Sequence, residues 1–317
     1  MKVSIVIVCM NNMKNIYACL NSIKQYTTIN YEVLLVAYKF SEDNLDVLQK
    51  DFPWVKIIVS NEIRGFSENN NLALHQAKGD YCFVLNDDTY FHMPVVDKMY
   101  HTLMCNPEID ILSPNLFYPD GRVQFVGRPK LSATHFVLST LKLWSDKKTI
   151  KKYINKKEIY DIYNISGAAF MIKTQVFKEL GWFDEKYFFS PEDIALSTKA
   201  KAAGYKICQI PDVRITHVAS ATSSPISAAT LPASFKGHLL FYSNNSKCKY
   251  YSLCIIESPI IFAKFVAYKI LSYCSRNPIF SIRASSEINT LSSIWGSMTP
   301  KELFVKYYNE IIDQKNA

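Results

Sequence analysis

Along the first 117 residues the apolar positions switch repeatedly between a continuous run and a helical period. Val3–Met10 is almost wholly apolar, the pattern of a strand covered on both faces. Ile16, Leu20 and Ile23 then recur at helical spacing and mark one buried face. The exchange continues with a strand over Tyr31–Val36, a helix over Asn44–Phe52 and a strand over Val55–Val59. Ser67 is placed to cap a helix running to Lys78, with Gly79 as its stop. Tyr81–Leu85 reads as a fourth strand, ending in Asn86-Asp87-Asp88, and Pro94 suits the first turn of the next helix. Asp110–Phe117 is a fifth strand, leading into a Pro119-Asp120-Gly121 turn. This alternation predicts a parallel α/β sheet.

Beyond it, residues 142–157 hold seven lysines and one aspartate, which predicts a solvated loop or an exposed helix. Regular signals return with a strand over Ala168–Lys173 and a helix from Thr174 to Leu180, stopped by Gly181. Glu192–Ala203 is a helix closed by Gly204, followed by strands over Tyr205–Ile210 and Val213–Thr216. The last hundred residues read as mostly helical. Ser258-Pro259 has the form of a helix start ahead of apolar Ile260–Cys274. Thr299-Pro300-Lys301-Glu302 has capping-box spacing ahead of Leu303–Ile312.

Composition narrows the class. With 317 residues, 49% of them hydrophobic, the chain can bury a large core and is neither disordered nor collagen-like. Its length suggests two units, or one unit with an appendage. No run reaches the 18 apolar residues that a spanning helix needs, so no integral membrane protein is expected. Met1–Val8 resembles a short signal core, but it lacks a small-residue cleavage site and reads as a strand. The eight cysteines form no CxxC pair, which fits free thiols in a reducing, cytosolic compartment.

Three features carry chemistry. Asn86-Asp87-Asp88 closes a buried strand, and open α/β sheets bind ligands beyond the carboxyl ends of their strands. Adjacent carboxylates favour a divalent cation or a basic partner, although a plain polar turn would look the same. Glu192-Asp193 opens a helix, where carboxylates either cap the dipole or serve as a general base. His217 follows a strand and is either a structural residue or a metal ligand.

Singly, these leave the function open; their order along the chain does not. Arg64-Gly65-Phe66-Ser67-Glu68-Asn69-Asn70-Asn71 precedes Leu85-Asn86-Asp87-Asp88-Thr89. Ser166-Gly167-Ala168-Ala169-Phe170-Met171-Ile172, Gly181-Trp182-Phe183-Asp184-Glu185, Glu192-Asp193, Ala203-Gly204-Tyr205 and His217 then follow. As an ordered set, over about residues 1–220, these resemble family 2 glycosyltransferases of the GT-A fold. The likeness is greatest to the rhamnosyltransferase-like branch that builds bacterial surface polysaccharides such as O-antigen or capsule.

That resemblance implies a Rossmann-like, mixed but mainly parallel sheet flanked by helices, with a mostly helical C-terminal extension. Residues 1–220 would form the transferase domain, with 1–117 as its nucleotide-sugar half and 118–220 as its acceptor half; 221–317 would be the extension. Asp193 would be the catalytic base, with Glu192 as its acidic neighbour. Asp88 and His217 would hold a divalent cation, Mg²⁺ or Mn²⁺. Asn11, Arg64, Gly65, Asn71, Asn86 and Asp87 would lie on the donor side, and Trp182, Asp184 and Glu185 on the acceptor side. The donor would be a UDP- or dTDP-linked sugar. The acceptor would be a saccharide or a polyprenyl-diphosphate-linked oligosaccharide, reached from the cytoplasmic face of the inner membrane.

Three positions depart from the family pattern. An Asp that reads the nucleotide base is replaced within Val36-Ala37-Tyr38, with Glu42 and Asp43 as nearby substitutes. The second Asp after Glu192-Asp193 is Ala195, and a later Arg is Lys199, which keeps charge but not bidentate geometry. These losses leave a second reading open, a non-catalytic scaffolding subunit of an assembly complex. A sugar nucleotidyltransferase would need a Gly-rich loop after the first strand, and Cys9-Met10-Asn11-Asn12-Met13 has no glycine. A dehydrogenase would need GxGxxG there.

The net charge of +8 is uneven, since residues 218–283 carry seven basic side chains and one acidic. No nucleic-acid recognition motif accompanies them. Basic residues interleaved with aromatic and aliphatic ones instead point to an anionic membrane surface, or to a helical subdomain that buries its apolar residues against the sheet or a second subunit, a homo-oligomer contact.

Overall fold

β1 (Val3–Cys9) lies between two parallel neighbours, β2 (Tyr31–Tyr38) and β4 (Tyr81–Asn86), and all its residues but Val8 are buried. Double coverage of this kind favours apolar side chains at both parities, which explains the near-continuous hydrophobic run. Val3, Ile5, Ile7 and Cys9 point into one core with α1 (Met13–Tyr26) and α4 (Val95–Cys105). Val6 points into the other, with Leu74 of α3 (Phe66–Leu74) and Phe177 of α7 (Thr174–Glu179).

The computed structural model describes residues 1–219, 226–275 and 277–316. Its remaining strands are β3 (Val55–Ser60), β5 (Thr89–Tyr90), β6 (Ile111–Phe117), β7 (Val123–Phe125), β8 (Tyr160–Asp161), β9 (Ala169–Lys173) and β10 (Ile207–His217). The sheet order is β3-β2-β1-β4-β9-β6-β10-β5, with β7 beside β6 and β8 beside β10. The first four strands are parallel, and β9 enters antiparallel between β4 and β6. β5 pairs antiparallel with the end of β10, setting His217 opposite Thr89. Helices α2 (Glu42–Asp51), α5 (Ala133–Thr140), α6 (Lys147–Tyr153) and α8 (Glu192–Ala202) complete this part. The lysine-rich run forms the largely exposed α6 and its flanks.

The helical extension is present as α9 (Ser227–Ser243), α10 (Lys247–Cys274), α11 (Ile279–Ile294) and α12 (Pro300–Asn316). Its cores are shared with the sheet-bearing part. Phe136 of α5 packs with Phe235, Leu239 and Cys254, and Phe188 packs with Ala229, Ala233, Leu303 and Phe304. Among the described residues, no helix is long and apolar enough to cross a membrane.

Local signals fail in three places, each for a packing reason. The third helix is capped by Gly65 rather than Ser67 and ends at Leu74 rather than Lys78. Gly65 N–H donates to Glu68 Oε2 at 2.9 Å, while buried Ser67 donates to the Tyr187 carbonyl at 3.2 Å. Tyr205–Ile210 and Val213–Thr216 are one strand, β10, whose register shifts between Ile210 and Arg214. Pro211 lies in that irregularity, where its missing N–H costs no ladder bond. The expected helix start at Ser258-Pro259 is the interior of α10, which begins at the Ser246 cap. Burial of Leu253, Cys254, Glu257 and Ile261 carries the helix through the proline. The Thr299 capping box forms as expected, with Thr299 N–H donating to Glu302 Oε2 at 2.7 Å.

Candidate active site

β1, β2 and β4 all end at one edge of the sheet, and a cavity of about 310 Å³ opens there. Arg64, Gly65, Asn86, Asp87, Asp88 and His217 all line it. Topology makes this meeting possible: β5 turns back from the acidic segment and pairs with β10, bringing a histidine 129 positions away to Asp88.

The His217 Nε2 atom lies 3.1 Å from Asp88 Oδ1. Its other nitrogen, Nδ1, is 2.7 Å from Gln124 Oε1 on β7 and must donate to that oxygen. With Nδ1 as donor, the neutral form of the ring has its lone pair at Nε2, which lies 3.4 Å from the Asn86 amide nitrogen; in that form Nε2 and Asp88 Oδ1 could both ligate a cation. Asp88 Oδ1 and Asp87 Oδ2 are buried without a hydrogen-bond partner. Burial first, and then the Asp88 charge, push the Asp87 carboxyl up to about 6.

These orphaned atoms are what a cation would satisfy. Carboxylate oxygen suits Mg²⁺ and Mn²⁺, and the added imidazole nitrogen favours Mn²⁺ of the two. Among the described residues no group of three or more His, Cys, Asp or Glu side chains converges on a metal position. Two protein ligands are the usual number where substrate phosphates complete the coordination shell.

Arg64 is oriented by Ser60 Oγ at 3.3 Å and Glu62 Oε2 at 2.7 Å. Tyr38 and Lys39, at the end of β2, line the cavity, whereas Ala37 is fully buried within the strand. Glu42 and Asp43 are exposed on the first turn of α2 and do not line it. Asn11 is also elsewhere: its Oδ1 accepts from Asn44 Nδ2 at 2.9 Å, tying the end of β1 to α2.

Asp193 stands at the start of α8. Its Oδ2 accepts from Gly167 N–H at 3.2 Å and its Oδ1 from Ile194 N–H at 2.7 Å. The next carbonyl after Gly167, that of Ala168, accepts from Asn86 N–H at 2.9 Å. The carboxylate is thus tied through one short backbone segment to the acidic end of β4. Glu192 is buried beside it with Oε2 unpartnered, and burial followed by the Asp193 charge pushes its carboxyl well above the ordinary range.

Trp182, Asp184 and Glu185 lie together around a second cavity of about 390 Å³, with Ala195 and Lys199. Asn71 belongs to this group rather than to the first cavity. Its Nδ2 donates to the Phe183 carbonyl at 3.0 Å and to Glu185 Oε1 at 2.8 Å. Lys199 donates to the Leu180 carbonyl at 2.5 Å and so secures the Gly181 turn.

Sequence comparison agrees with this geometry. The family model described as "Glycosyl transferase family 2" matches residues 4–181, more than half of the chain. The chain belongs to glycosyl transferase family 2. It is 25% identical over 157 residues to the O-antigen biosynthesis protein RfbC of Myxococcus xanthus, covering 48% of this chain and 12% of that protein. It is 24% identical over 172 residues to the N-acetylglucosaminyl-diphospho-decaprenol L-rhamnosyltransferase of Mycobacterium tuberculosis, covering 52% of this chain and 55% of that one. The chain therefore spans about half, or less, of the length of these relatives.

Among solved structures, GalNAc-T7 with UDP, GalNAc and Mn²⁺ superposes with a TM-score of 0.58 at 16% identity. That match covers 86% of this chain and 57% of the other. Mannosyltransferase PcManGT from Pyrobaculum calidifontis, with GDP-Man and Mn²⁺, gives 0.55 at 13% identity, covering 94% and 88%. The family 2 chain thus has the GT-A fold, with a helical C-terminal region added to it.

That region reaches the site. Thr230 of α9 and Phe304 and Tyr308 of α12 line the first cavity, and Tyr308 stacks on Phe304 at 5.2 Å between centroids. Nothing in the sequence marks these as site residues. Tyr38, by contrast, ends a strand at the ligand-binding edge and was open to inference. Gln124 had no signal, since its role depends on a short strand that the pattern does not reveal.

Proposed function

We propose that this chain is an inverting glycosyltransferase that moves a sugar from a nucleotide-diphosphate sugar to a hydroxyl of a saccharide acceptor. The observation that carries this reading is the cavity at the carboxyl edge of the sheet, where Arg64 and the Asp88–His217 pair converge. Tyr38 and Tyr308 offer aromatic surface to the nucleoside, and Arg64 offers donors to a phosphate. Lys39 stands near where a base-reading carboxylate was expected, and it can only donate, so it selects a base carbonyl oxygen rather than an N–H.

Asp193 accepts the proton of the attacking hydroxyl as the bond to the anomeric carbon forms, and the nucleoside diphosphate leaves from the opposite face. Burial pushes the Glu192 carboxyl towards its neutral form, which limits the negative charge it adds beside Asp193. A divalent cation held by Asp88 and His217 would supply Lewis-acid neutralisation of the departing diphosphate.

The acceptor is a lipid-linked saccharide of bacterial surface polysaccharide synthesis, a reading supported by the two relatives' names. Exposed Ile255, Phe262, Val266, Ile270 and Tyr273 lie along one face of α10, with Lys269 among them. That stripe supports attachment to the cytoplasmic face of the inner membrane, with a homo-oligomer contact as the alternative use. Incubating the purified chain with UDP-, dTDP- and GDP-linked sugars, with Mn²⁺ or with EDTA, tests the whole reading. Metal-dependent transfer or donor hydrolysis is expected. A chain that neither binds nor turns over any donor would be the non-catalytic scaffold instead.

A further inference from the structure

A third cavity, of about 580 Å³, opens between α9, α10 and α11. It adjoins the first, because Phe189 and Thr230 line both. Phe189 also belongs to the short segment that leads into Asp193. A molecule lying in this groove therefore borders both the donor cavity and the approach to the base.

The groove is basic. Lys264 and Arg283 line it, and the one acid in its wall, Glu287, is buried and paired with Lys264 at 2.6 Å. Lys142 reaches its Tyr268 from the loop after α5, donating to the phenol oxygen at 3.1 Å. The Arg283 guanidinium lies 5.6 Å from the centre of the same ring. Among the described residues, neither Arg283 nor Lys142 has a carboxylate oxygen within 4.0 Å. Two cations thus converge on one tyrosine without an anion. Arg is the side chain that pairs a phosphate through two parallel bonds, and a neighbouring lysine adds a point charge. Leu231 and Ile279 give the same groove an apolar part.

We infer that this groove binds the phosphate or diphosphate of an amphipathic acceptor, with Arg283 and Lys142 as its anion-binding side chains. The inference rests on the transferase reading above and names the acceptor subsite of that reaction. The donor's own diphosphate lies apart, at Arg64 and the Asp88–His217 pair, so the groove is free for a second phosphate-bearing molecule.

Calorimetry on the full chain in EDTA tests this, with farnesyl diphosphate, farnesol and inorganic pyrophosphate as probes. Farnesyl diphosphate should bind at least about tenfold more tightly than either fragment. The Arg283→Gln/Lys142→Gln double variant should lose about tenfold or more of that affinity, since two charge-assisted contacts go. Its Mn²⁺-dependent binding of UDP, dTDP or GDP should not change. Equal affinity for farnesol, or an unaffected double variant, overturns the inference. Pyrophosphate binding as tightly as farnesyl diphosphate would replace it with a free-phosphate site. Absent prenyl binding, together with phosphatidylglycerol-vesicle binding lost in the same variant, would replace it with a bilayer contact. Failure of nucleotide binding in the wild type strikes the transferase reading instead, so the two failures are separable.

Discussion

Gly237 of α9 lies so close to Ser190 that a Cβ built on it would sit 2.2 Å from the Ser190 carbonyl oxygen. On the other side of the same segment, Phe66 N–H donates to the Phe188 carbonyl at 2.8 Å. The residues just before Glu192-Asp193 are thus held between the donor-side loop and the helical extension. Gly237→Ala must push the Ser190 backbone, and misplacement of a reacting group by about 1 Å can cost ~100-fold in rate. We expect kcat to fall tenfold or more while nucleotide affinity stays the same. A variant with wild-type kcat would show that α9 does not position the base.

Glu192 and Asp193 are adjacent, but they should respond differently to loss of charge. Asp193→Asn removes the proposed proton acceptor and should lower turnover by at least ~100-fold with the fold intact. Glu192→Gln replaces a carboxyl whose burial already favours the neutral form, so its effect should stay within about tenfold. Steady-state rates with matched melting curves decide the pair. Equal losses in both variants would remove the distinction of roles.

Gln124 touches neither Asp88 nor the cavity, yet it fixes which His217 nitrogen carries the proton. Partners that orient a ligating histidine are typically worth 10–100-fold in metal affinity. Gln124→Leu should raise the Mn²⁺ concentration for half-maximal activity by roughly that factor, leaving the rate at saturating Mn²⁺ nearly unchanged. Asp88→Asn should abolish the Mn²⁺ response itself.

The contrast between Asp88 and Gln124 shows what the chain discloses in one dimension. Asp88 follows an apolar run at the end of a strand, so strand periodicity and topology rules point to it. Gln124 sits on a three-residue strand whose pairing depends on tertiary contacts, and no local period marks it. Tyr308 and Phe304 are similar: their helical spacing reads as an amphipathic face, and only the fold shows that part of that face borders the first cavity. The Ser258-Pro259 signal marks no helix start, because a local propensity of a few kcal/mol yields to the burial of Leu253, Cys254, Glu257 and Ile261 on either side of it.

Tyr308 therefore offers a test of the extension as part of the site. Its ring lines the first cavity, proposed here as the donor site, while its neighbour Phe304 is packed against Phe188, so truncating Tyr308 leaves that packing in place. Loss of an aromatic surface under a nucleobase should weaken binding by about tenfold. Tyr308→Ala should raise the donor KM by that amount with little change in kcat, and Tyr308→Phe should restore it. An unchanged KM in the alanine variant would separate α12 from donor recognition.

Glu257 makes the stability of the extension depend on pH. Its side chain is fully buried on α10, Oε1 accepts from Thr140 Oγ1 at 3.4 Å, and Oε2 has no partner. Burial pushes the carboxyl up to about 7 from 4.5, with the Thr140 hydrogen bond and the Lys264 charge opposing it. Between those two values the folded chain holds a proton that the unfolded chain has released. Stability therefore falls as pH rises from about 4.5 to 7, and the full cost persists above 7. That cost is on the order of 1–3 kcal/mol, or a few degrees in Tm. Glu257→Gln keeps the Thr140 contact but is neutral throughout. Its Tm should exceed that of the wild type at pH 8, and the gap should narrow steadily towards pH 5. A gap that does not change with pH would mean that Glu257 stays ionised in the folded chain, with Lys264 as its counter-ion.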